Sequence, residues 1–458
     1  MTNWNIVHQQ APDYRVHSAS DLLNLPQLQR LGQDRIFEMQ VISQVLPFKS
    51  NNYVTENLID WDDPNDPLFV LTFPQRGMLE DRHFNQMADA VRGGDRDRIR
   101  ESAHDIRLQL NPHPAGQKKM NVPHLADGTP LEGMQHKYQQ TVLFFASQGQ
   151  TCHAYCTFCF RWPQFVALDG MKFAMKESDQ LIQYLREHEE VTDVLFTGGD
   201  PMVMRTKFFK TYVDAILNAD LPHIKTIRIG TKAISYWPYR FINDADATEL
   251  LDLFRDITDA GLHLSVMAHV NHPNELQTEA AEIAIARIRE TGAVIRTQSP
   301  LMRNINDDPD TWADMWRRQI SLGMIPYYMF LARDTGAQNY FAMPLARAHE
   351  IYSTAVRQVS GLGRTVRGPS MSCTPGKVEI DGVTHIQGEK VFVLRMLQGR
   401  NPDWAYRPFF AKYDPNAIWL DDLRPAFGED KFFFDRDSEW DSDGQDRMLD
   451  SELDEIEV

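Results

Sequence analysis

The sequence predicts an α/β protein whose centre is a partial barrel of six strand–helix units, a (β/α)6 barrel. From about residue 140, short runs rich in β-branched and aromatic residues alternate with longer amphipathic runs of helical length. This alternation is typical of a parallel sheet whose strands are joined by right-handed crossover helices. Polar and glycine-rich clusters follow the predicted strands, as expected for an active site at the carboxyl ends of barrel strands.

The six predicted strands share a high content of β-branched and aromatic residues. They are TVLFFA from Thr141, DVLFTG from Asp193, TIRIGT from Thr226, LHLSVMAHV from Leu262, VIRTQS from Val294 and PYYMFLA from Pro326. The segments between them have apolar residues near a period of 3.6, and three end at a glycine, a common helix stop. These predicted helices are SDQLIQYLREHEE, KFFKTYVDAILNA, ATELLDLFRDITDAG, EAAEIAIARIRETG and TWADMWRRQISLG.

Four regions are predicted along the chain. They are a helical N-terminal region (1–135), the partial barrel (136–360), a small C-terminal extension (361–428) and an acidic tail (429–458). Within the first region, the spacing of apolar residues predicts a helix over Ser20–Leu31 with Ser20 as its N-cap.

The net charge of −17 is concentrated at the C-terminus, where residues 429–458 contain 13 Asp and Glu against 3 Lys and Arg. A charge run of this kind is usually a solvated face. The KFFF run at Lys431–Phe434 and Trp440 predict that part of the tail docks on the protein. The acidic balance argues against nucleic acid as a partner, because nucleic-acid-binding proteins carry a basic patch.

The chain carries no apolar run of about 18 residues, so neither a membrane-spanning helix nor a membrane partner is predicted. Its first residues lack a basic segment followed by an apolar one, the pattern of a secretory signal. Four cysteines in 458 residues do not form a disulfide scaffold, and clustered thiols are typical of metal-binding or catalytic sites. We therefore expect a cytoplasmic protein.

Three of the four cysteines, Cys152, Cys156 and Cys159, lie within eight residues after the first predicted strand. A structural zinc ion takes four ligands, and so does a four-iron cluster held only by protein. The spacing C-x3-C-x2-C supplies three, and Cys373 is a candidate for the fourth. A four-iron cluster with three thiolates instead leaves one iron open to a small molecule.

This spacing at this place in a barrel resembles the radical SAM superfamily, in which such a cluster cleaves S-adenosylmethionine reductively to make a carbon radical. The stretch TGGDP after the second strand is similar to a Gly-Gly-acid motif of that superfamily, whose backbone contacts the methionine amino group of the cofactor. The resemblance assigns Gly198, Gly199 and Asp200 to cofactor binding, and two glycines let the chain approach closely. A plain strand-to-helix turn is the alternative.

Further motifs resemble one family, the lysine 2,3-aminomutases, over roughly residues 50–395. They are CTFCFR, TGGDP, TIRIGTKA, HVNHPNE, TQSPLMRNIND, IPYYMF and, in the N-terminal region, LIDWDDPNDPL. The resemblance implies a [4Fe-4S] cluster, S-adenosylmethionine and pyridoxal 5'-phosphate in the barrel. It also implies a 5'-deoxyadenosyl radical that takes a β-hydrogen from a pyridoxal-bound amino acid, after which the nitrogen migrates from the α to the β carbon.

The resemblance also implies roles for single residues. The three cysteines match the cluster ligands, and Arg161 matches an arginine expected to meet the substrate carboxylate. His269, Asn271 and Gln298 match family motifs and are expected to line the cofactor pocket. A buried, hydrogen-bonded structural role is the alternative for each of these three residues.

The pyridoxal site departs from the family pattern. The family places its imine-forming lysine after four glycines, whereas CTPGK here ends in Lys377 after a single glycine. Of the two basic residues that can hold the phosphate, Lys137 matches the first, and Thr141 stands at the second. We predict Lys377 and Lys137 as pyridoxal residues, with a hairpin lysine in GKVEIDGVTHI as the alternative for Lys377.

Substrate recognition departs as well. Lysine-specific members use two aspartates for the distal ammonium. One position falls at Arg333 or Asp334, and the other falls near Ser370, with no acid beside it in the sequence. Asp334 can pair with a cation and Arg333 with a carboxylate, so a cationic and an acidic substrate both stay open.

Three functions are compatible with the sequence. The first is an aminomutase that acts on a small-molecule amino acid with pyridoxal phosphate. The second is a radical SAM enzyme of the same fold that works without pyridoxal on another metabolite or a peptide. The third is a zinc-stabilised binding protein. For either enzyme, an electron donor such as flavodoxin or ferredoxin is the expected partner, and a homo-oligomer is expected because family members associate.

Overall fold

A computed structural model describes residues 4–111, 120–166 and 174–435. Its centre is one sheet of eleven strands, and a ribbon of two further strands lies apart from it. The strands are β1 (Val16–Ser18), β2 (Lys49–Asn51), β3 (Met134–Tyr138), β4 (Thr141–Phe144), β5 (Asp193–Phe196), β6 (Thr226–Thr231), β7 (His263–His269), β8 (Val294–Leu301), β9 (Ile325–Leu331), β10 (Arg367–Ser372), β11 (Gly376–Ile386), β12 (Glu389–Gly399) and β13 (Pro408–Lys412).

The large sheet runs in the order β13-β12-β11-β10-β9-β8-β7-β6-β5-β4-β3. All neighbours from β4 to β10 are parallel. Antiparallel strands extend both edges, namely β3 beside β4 and the series β11, β12 and β13 beside β10. Within the described ranges β3 and β13 do not pair, so the barrel is open. The six predicted strands are β4 to β9, and the predicted α/β partial barrel is confirmed.

The five predicted crossover helices are all present between these strands. Three of them are followed by the predicted glycines, Gly261, Gly292 and Gly323, whose φ angles lie between +72° and +85°. In the part of the chain that the structure describes, no helix has the length and apolar character needed to cross a membrane. The helices are Gln33–Val45, Asn52–Asn57, Pro67–Thr72, Asp81–Gly93, Arg96–Leu110, Trp162–Phe165, Ser178–Glu187, Thr206–Leu217, Ala233–Tyr236, Ala247–Asp259, Glu279–Arg289, Pro309–Ser321, Gln338–Phe341 and Leu345–Arg357.

Side chains alternate between the barrel interior and the helical layer. Leu143 on β4 and Leu195 on β5 are cross-strand partners, and both line the interior cavity. Their neighbours Phe144 and Phe196 are fully buried and contact aromatic rings of the helix Thr206–Leu217. This period of two is what a closed or partly closed barrel imposes on its strands.

One parallel strand, β10, extends the barrel beyond the six predicted. Its sequence RGPSMS contains Gly and Pro and lacks an apolar alternation, so local pattern does not favour a strand. It forms a strand because it pairs with β9 on one side and with β11 on the other. The hairpin foreseen around GKVEIDGVTHI is present as β11 and β12.

In its described residues, 4–111 and 120–135, the N-terminal region contains five α-helices, but the helix predicted over Ser20–Leu31 is wrong. The chain forms two short 3-10 helices there, Ala19–Asp21 and Leu28–Leu31, and Ser18 rather than Ser20 takes the N-cap position of the first. Pro26 lies between them, and a proline inside a helix removes a backbone hydrogen bond and clashes with the preceding turn.

The start of the predicted tail docks on the protein. Phe432 and Phe434 are buried and meet the ring of Phe409 at 5.5 and 5.6 Å between centroids. The aromatic run therefore holds the chain against β13, as predicted for KFFF. Trp440 and the rest of the acidic tail lie outside the described residues.

Candidate active site

One cavity of about 340 Å³ occupies the interior of the barrel. It gathers side chains from the barrel strands, from the segment after the cysteine loop and from β11. Eight residues singled out in the sequence line it together: Lys137, Thr141, Arg161, Gln298, Arg333, Asp334, Cys373 and Lys377. The other predicted site residues surround the cysteine loop beside this cavity.

The three cysteines lie on the loop that follows β4, as predicted. Burial raises the pKa of Cys152, and Asp200, Cys159 and Cys156 raise it further. Burial raises the pKa of Cys156 to about 12. Protons are therefore held tightly on these thiols, and a metal that binds them must displace those protons.

The loop fits an iron–sulfur cluster by its donors and its place in the fold. Three thiols are the ligands that iron–sulfur clusters take. In the same loop the amide oxygen of Gln150 and the Nδ1 atom of His153 are buried without a hydrogen-bond partner. Among the described residues, no group of three or more His, Cys, Asp or Glu side chains is arranged so that it could hold a metal ion.

The N-terminal region fixes the cysteine loop, a function that the sequence did not reveal. The Lys49 ammonium donates to the carbonyl of Cys152 at 2.6 Å and to the Thr151 hydroxyl at 3.2 Å. The Asn51 amide donates to the carbonyl of His153 at 3.1 Å. The Thr157 hydroxyl donates to backbone carbonyls of the helix Pro67–Thr72. The loop is thus clamped from outside the barrel.

Gly198 and Gly199 let the end of β5 pack against the same loop. Gly198 has a φ of +140°, which only glycine adopts readily. A Cβ on Gly198 would meet the side-chain amide of Gln150, and one on Gly199 would lie 2.5 Å from the backbone nitrogen of Thr151. Both glycines are therefore required by close packing, whatever they bind in addition.

Asp200 is a buried junction between the loop, β5 and β6. Its carboxylate accepts hydrogen bonds from the Thr231 hydroxyl at 2.7 Å and from the backbone N–H groups of Lys232 and Met202 at 2.8 and 2.9 Å. Its own N–H donates to the carbonyl of Thr151 at 2.7 Å. Burial raises the pKa of Asp200 to about 6, against the lowering effect of these hydrogen bonds.

His269 and Asn271 surround a buried ion pair that the sequence did not identify. The Lys232 ammonium pairs with Glu275 and also donates to the Asn271 side chain at 2.8 Å. Asn271 in turn donates to the Ser299 hydroxyl at 2.8 Å. The His269 ring stacks near Phe158 of the cysteine loop, with centroids 5.6 Å apart. Burial lowers the pKa of His269 to about 3, so the ring is neutral.

Lys377 reaches the cavity from β11. Its ammonium lies 4.2 Å from the centre of the Tyr328 ring and 5.4 Å from that of Phe330, and it donates to the Gln398 side chain at 3.1 Å. Burial lowers the pKa of Lys377 to about 7, and the positive charges of Arg228 and Lys137 lower it further. A substantial fraction of this amine is therefore neutral near pH 7.

Lys137 and Arg228 place positive charge in the same part of the cavity. The Lys137 ammonium donates to the carbonyl of Cys373, and burial lowers its pKa to about 7. Thr141, which stands at the second basic position of the family, accepts a hydrogen bond from Arg228 at 3.2 Å. Arg228 also donates to Asp193 at 2.9 Å. A positive charge thus lies beside Thr141 after all, supplied by another strand.

The guanidinium groups of Arg161 and Arg333 both lie near the ring of Phe160. The guanidinium carbon of Arg161 lies 5.0 Å from the centre of the Phe160 ring, and that of Arg333 lies 5.4 Å from the same centre. Arg333 also donates from Nε to the Asp334 carboxylate at 3.3 Å. Burial lowers the pKa of Arg161 to about 10, and the charge of Arg333 contributes to this shift.

Cys373 lies in the main cavity, and Ser370 is buried in the sheet. Burial raises the pKa of the Cys373 thiol, and the positive charges of Arg333 and Lys137 act against that effect. Ser370 is fully buried and pairs across strands with Glu379. Glu379 thus brings an acid close to Ser370 in space, although none stands beside Ser370 in the sequence. Its carboxylate forms an ion pair with Arg395 at 2.9 Å.

Comparison with known proteins identifies the relatives of this chain, although no family profile matches it. A protein of Aquifex aeolicus named "Putative L-lysine 2,3-aminomutase" is 30% identical over 410 residues, which are 90% of this chain and 96% of the relative. The L-lysine 2,3-aminomutase of Clostridium subterminale is 26% identical over 58% of this chain and 60% of its own length. That of Escherichia coli is 28% identical over 55% and 69%.

Solved structures give weaker matches. SuiB of Streptococcus suis bound to the precursor peptide SuiA is 12% identical with a TM-score of 0.34, over 57% of this chain and 51% of that one. The anSMEcpe structure with bound AdoMet and a peptide is 12% identical with a TM-score of 0.34, over 48% and 58%. The fold assignment depends on the strand order and not on these matches.

Three lines of evidence agree on the family. The Aquifex aeolicus relative aligns with nearly the whole chain, the cysteine loop follows the first barrel strand, and the Gly-Gly-Asp stretch packs directly on that loop. Membership implies a [4Fe-4S] cluster and S-adenosylmethionine. The chain is an enzyme that belongs to the lysine 2,3-aminomutase family of the radical SAM superfamily.

Proposed function

We propose that this protein moves the α-amino group of an amino acid to the β carbon, and that Lys377 holds the pyridoxal phosphate used in the reaction. The reaction is an isomerisation. The bond between nitrogen and the α carbon breaks and one to the β carbon forms, while one hydrogen moves from the β to the α carbon. No net oxidant or reductant is consumed.

The observation that carries the proposal is the environment of Lys377. An amine that reacts with an aldehyde must be neutral, and the lowered pKa of about 7 makes this amine partly neutral at physiological pH. The rings of Tyr328 and Phe330 form an apolar wall beside it. Lys137 lines the same cavity; its pKa is also lowered to about 7, and the protonated part of this amine suits a phosphate group.

Arg161, which lies next to the cysteine loop, also supports the proposal. In the described part of the chain its guanidinium contacts the rings of Phe145 and Phe160 but donates no hydrogen bond to a protein acceptor. A guanidinium group gains free energy when a ligand supplies it with a charged acceptor. A substrate carboxylate would supply a bidentate acceptor and fix the amino acid between Arg161 and Lys377.

When bound, the cluster and S-adenosylmethionine supply the radical that removes and returns hydrogen, and pyridoxal phosphate supplies a conjugated ring for the nitrogen transfer. The chain's own residues bind and orient. Arg161 would bind the substrate carboxylate, and Lys137 would bind the phosphate group. Lys377, in its neutral amine form, would bind the pyridoxal carbon. The cysteine loop, clamped by Lys49, would hold the cluster through Cys152, Cys156 and Cys159.

A second candidate is a radical SAM enzyme of this fold that does not use pyridoxal. The observation in its favour is that the Lys377 ammonium already has the Gln398 oxygen and the Tyr328 ring as partners, which would satisfy a structural lysine. Such an enzyme would cleave S-adenosylmethionine and abstract hydrogen from another metabolite or a peptide.

Reductive trapping separates the two candidates without relying on activity. The protein is reconstituted anaerobically with iron, sulfide, S-adenosylmethionine and pyridoxal phosphate, treated with borohydride, digested and examined by mass spectrometry. We expect a pyridoxyl group on the peptide that contains Lys377. In parallel, a panel of amino acids is screened for β-isomers and for 5'-deoxyadenosine.

Two variants sharpen the experiment. Lys377→Ala should lose the label and β-isomer formation. Lys390→Ala is the matched control, because Lys390 is also a strand lysine over a tyrosine ring, at 3.5 Å from the centre of Tyr413, but lies outside the cavity. Reductive cleavage of S-adenosylmethionine without any pyridoxal label would contradict the proposal and favour the second candidate.

A further inference from the structure

We infer that the amino acid taken by this cavity carries a second carboxylate on its side chain, and that Arg333 binds this group while Arg161 binds the α-carboxylate. The inference rests on the function proposed above and names its substrate class, the acidic amino acids. Arg333 would then be the residue that determines specificity.

The two guanidinium groups are placed as a pair. Both lie against the ring of Phe160, at 5.0 and 5.4 Å from its centre, so they are within about 10 Å of one another. A four- or five-carbon dicarboxylate fits between two such groups when each carboxylate accepts from one of them. The Trp419 ring is a second aromatic neighbour of this group, with its centre 5.9 Å from the guanidinium carbon of Arg333.

Arg333 retains donors for a ligand. Within the described residues its guanidinium makes one hydrogen bond, from Nε to Asp334. Its terminal amino groups are therefore available, and the side chain is only 28% exposed. An arginine donates five hydrogen bonds, and carboxylates are the acceptors that its planar geometry matches best.

The cavity offers little to a substrate with a distal ammonium. Its lining contains two carboxylates, Asp334 and Asp421, among the residues that the structure describes. Asp334 is bound to Arg333, and Asp421 lies at the edge that the cavity shares with a second pocket under the C-terminal segment. Arg400 and Lys137 line the same region, so an additional cation would meet repulsion.

Acids and their amides provide the test, because each pair differs in charge and hardly in shape. The reconstituted holoenzyme is assayed with glutamate against glutamine, with aspartate against asparagine, and with lysine. β-Isomers are measured by mass spectrometry, and KM and kcat are measured separately. We expect one of the acids to exceed its amide by roughly ten- to hundred-fold in kcat/KM, the range of a charge-assisted hydrogen bond.

Variants of Arg333 assign the preference to this residue. Arg333→Gln should raise KM for the acid with little change for the amide, and Arg333→Lys should restore part of the preference. The pyridoxyl label on Lys377 should persist in both, which shows that the cavity is intact. Arg347→Gln is the control, because Arg347 is an exposed helix residue paired with Glu350 and should leave the preference unchanged.

The outcomes separate this inference from the proposed function. β-Isomer formation from lysine or from an amide that equals or exceeds that from the acids overturns the inference and leaves the aminomutase function standing. A label on Lys377 without an isomer from either acid also overturns the inference. No label and no isomer from any amino acid overturns both.

Discussion

The contact between Gly199 and the cysteine loop makes Gly199→Ala a sharp test of how the loop is positioned. The added methyl carbon would lie 2.5 Å from the nitrogen and 2.7 Å from the carbonyl carbon of Thr151. These are backbone atoms next to Cys152, so no side-chain rotation relieves the clash. The loop must retreat by about 1 Å to restore ordinary contact, and overpacking of this kind costs about 1–3 kcal/mol, here nearer 3.

Two measurements check this prediction, the unfolding midpoint in urea and the iron bound per chain after reconstitution. Both should fall in Gly199→Ala, because the displaced loop carries all three proposed cluster ligands. Gly230→Ala is the matched control on the adjacent strand, since its methyl carbon would meet its nearest atom at 3.5 Å, an ordinary contact. If the two variants unfold at the same urea concentration and bind equal iron, the close packing of Gly199 does not position the loop.

Two further predictions concern Lys377 and Lys49. Because the pKa of Lys377 is lowered to about 7, its neutral fraction should increase about tenfold per pH unit below 7 and level off above it. The rate of pyridoxal attachment, followed by absorbance from pH 5 to 9, should rise in the same way, and a rate that still increases tenfold between pH 8 and 9 would refute the lowered pKa. Lys49→Met should reduce iron retention under a chelator, because it removes charge-assisted hydrogen bonds to the Cys152 carbonyl and the Thr151 hydroxyl. Lys210→Met, at an exposed pair with Asp214, should not.

The barrel could be predicted because its signals are local. Each strand from β4 to β9 is a short β-rich run, and each crossover helix has its own apolar period and, in three cases, its own terminal glycine. Such signals need no knowledge of distant residues. The strand β10 has none of them, because a partner strand on each side and not its composition makes it a strand.

The cysteine loop and the Gly-Gly-Asp stretch were also predictable, but their physical supports were not. Lys49 and Asn51 are about 100 residues from the backbone groups that they bind, and nothing in their local sequence marks them. Arg228 could have been found. In TIRIGT the strand alternation places Arg228 on the same face as Gly230, opposite the buried Ile227 and Ile229, and an arginine on the inner face of a barrel strand indicates a site.

The single glycine before Lys377 raises the question of how that amine reaches a cofactor without a flexible glycine run. Lys377 is the second residue of β11, paired with Ser372 on one side and Gln398 on the other, and all three line the cavity. Gly376 is needed for packing, because a methyl carbon there would meet the Gln398 carbonyl oxygen and lie 2.7 Å from the Met396 sulfur. A strand held on both sides fixes the direction of its side chains, so the amine is presented by register and needs no loop freedom. The missing glycines are therefore compatible with a pyridoxal lysine at this position, and a rigid strand would hold that lysine with less conformational entropy to lose on binding.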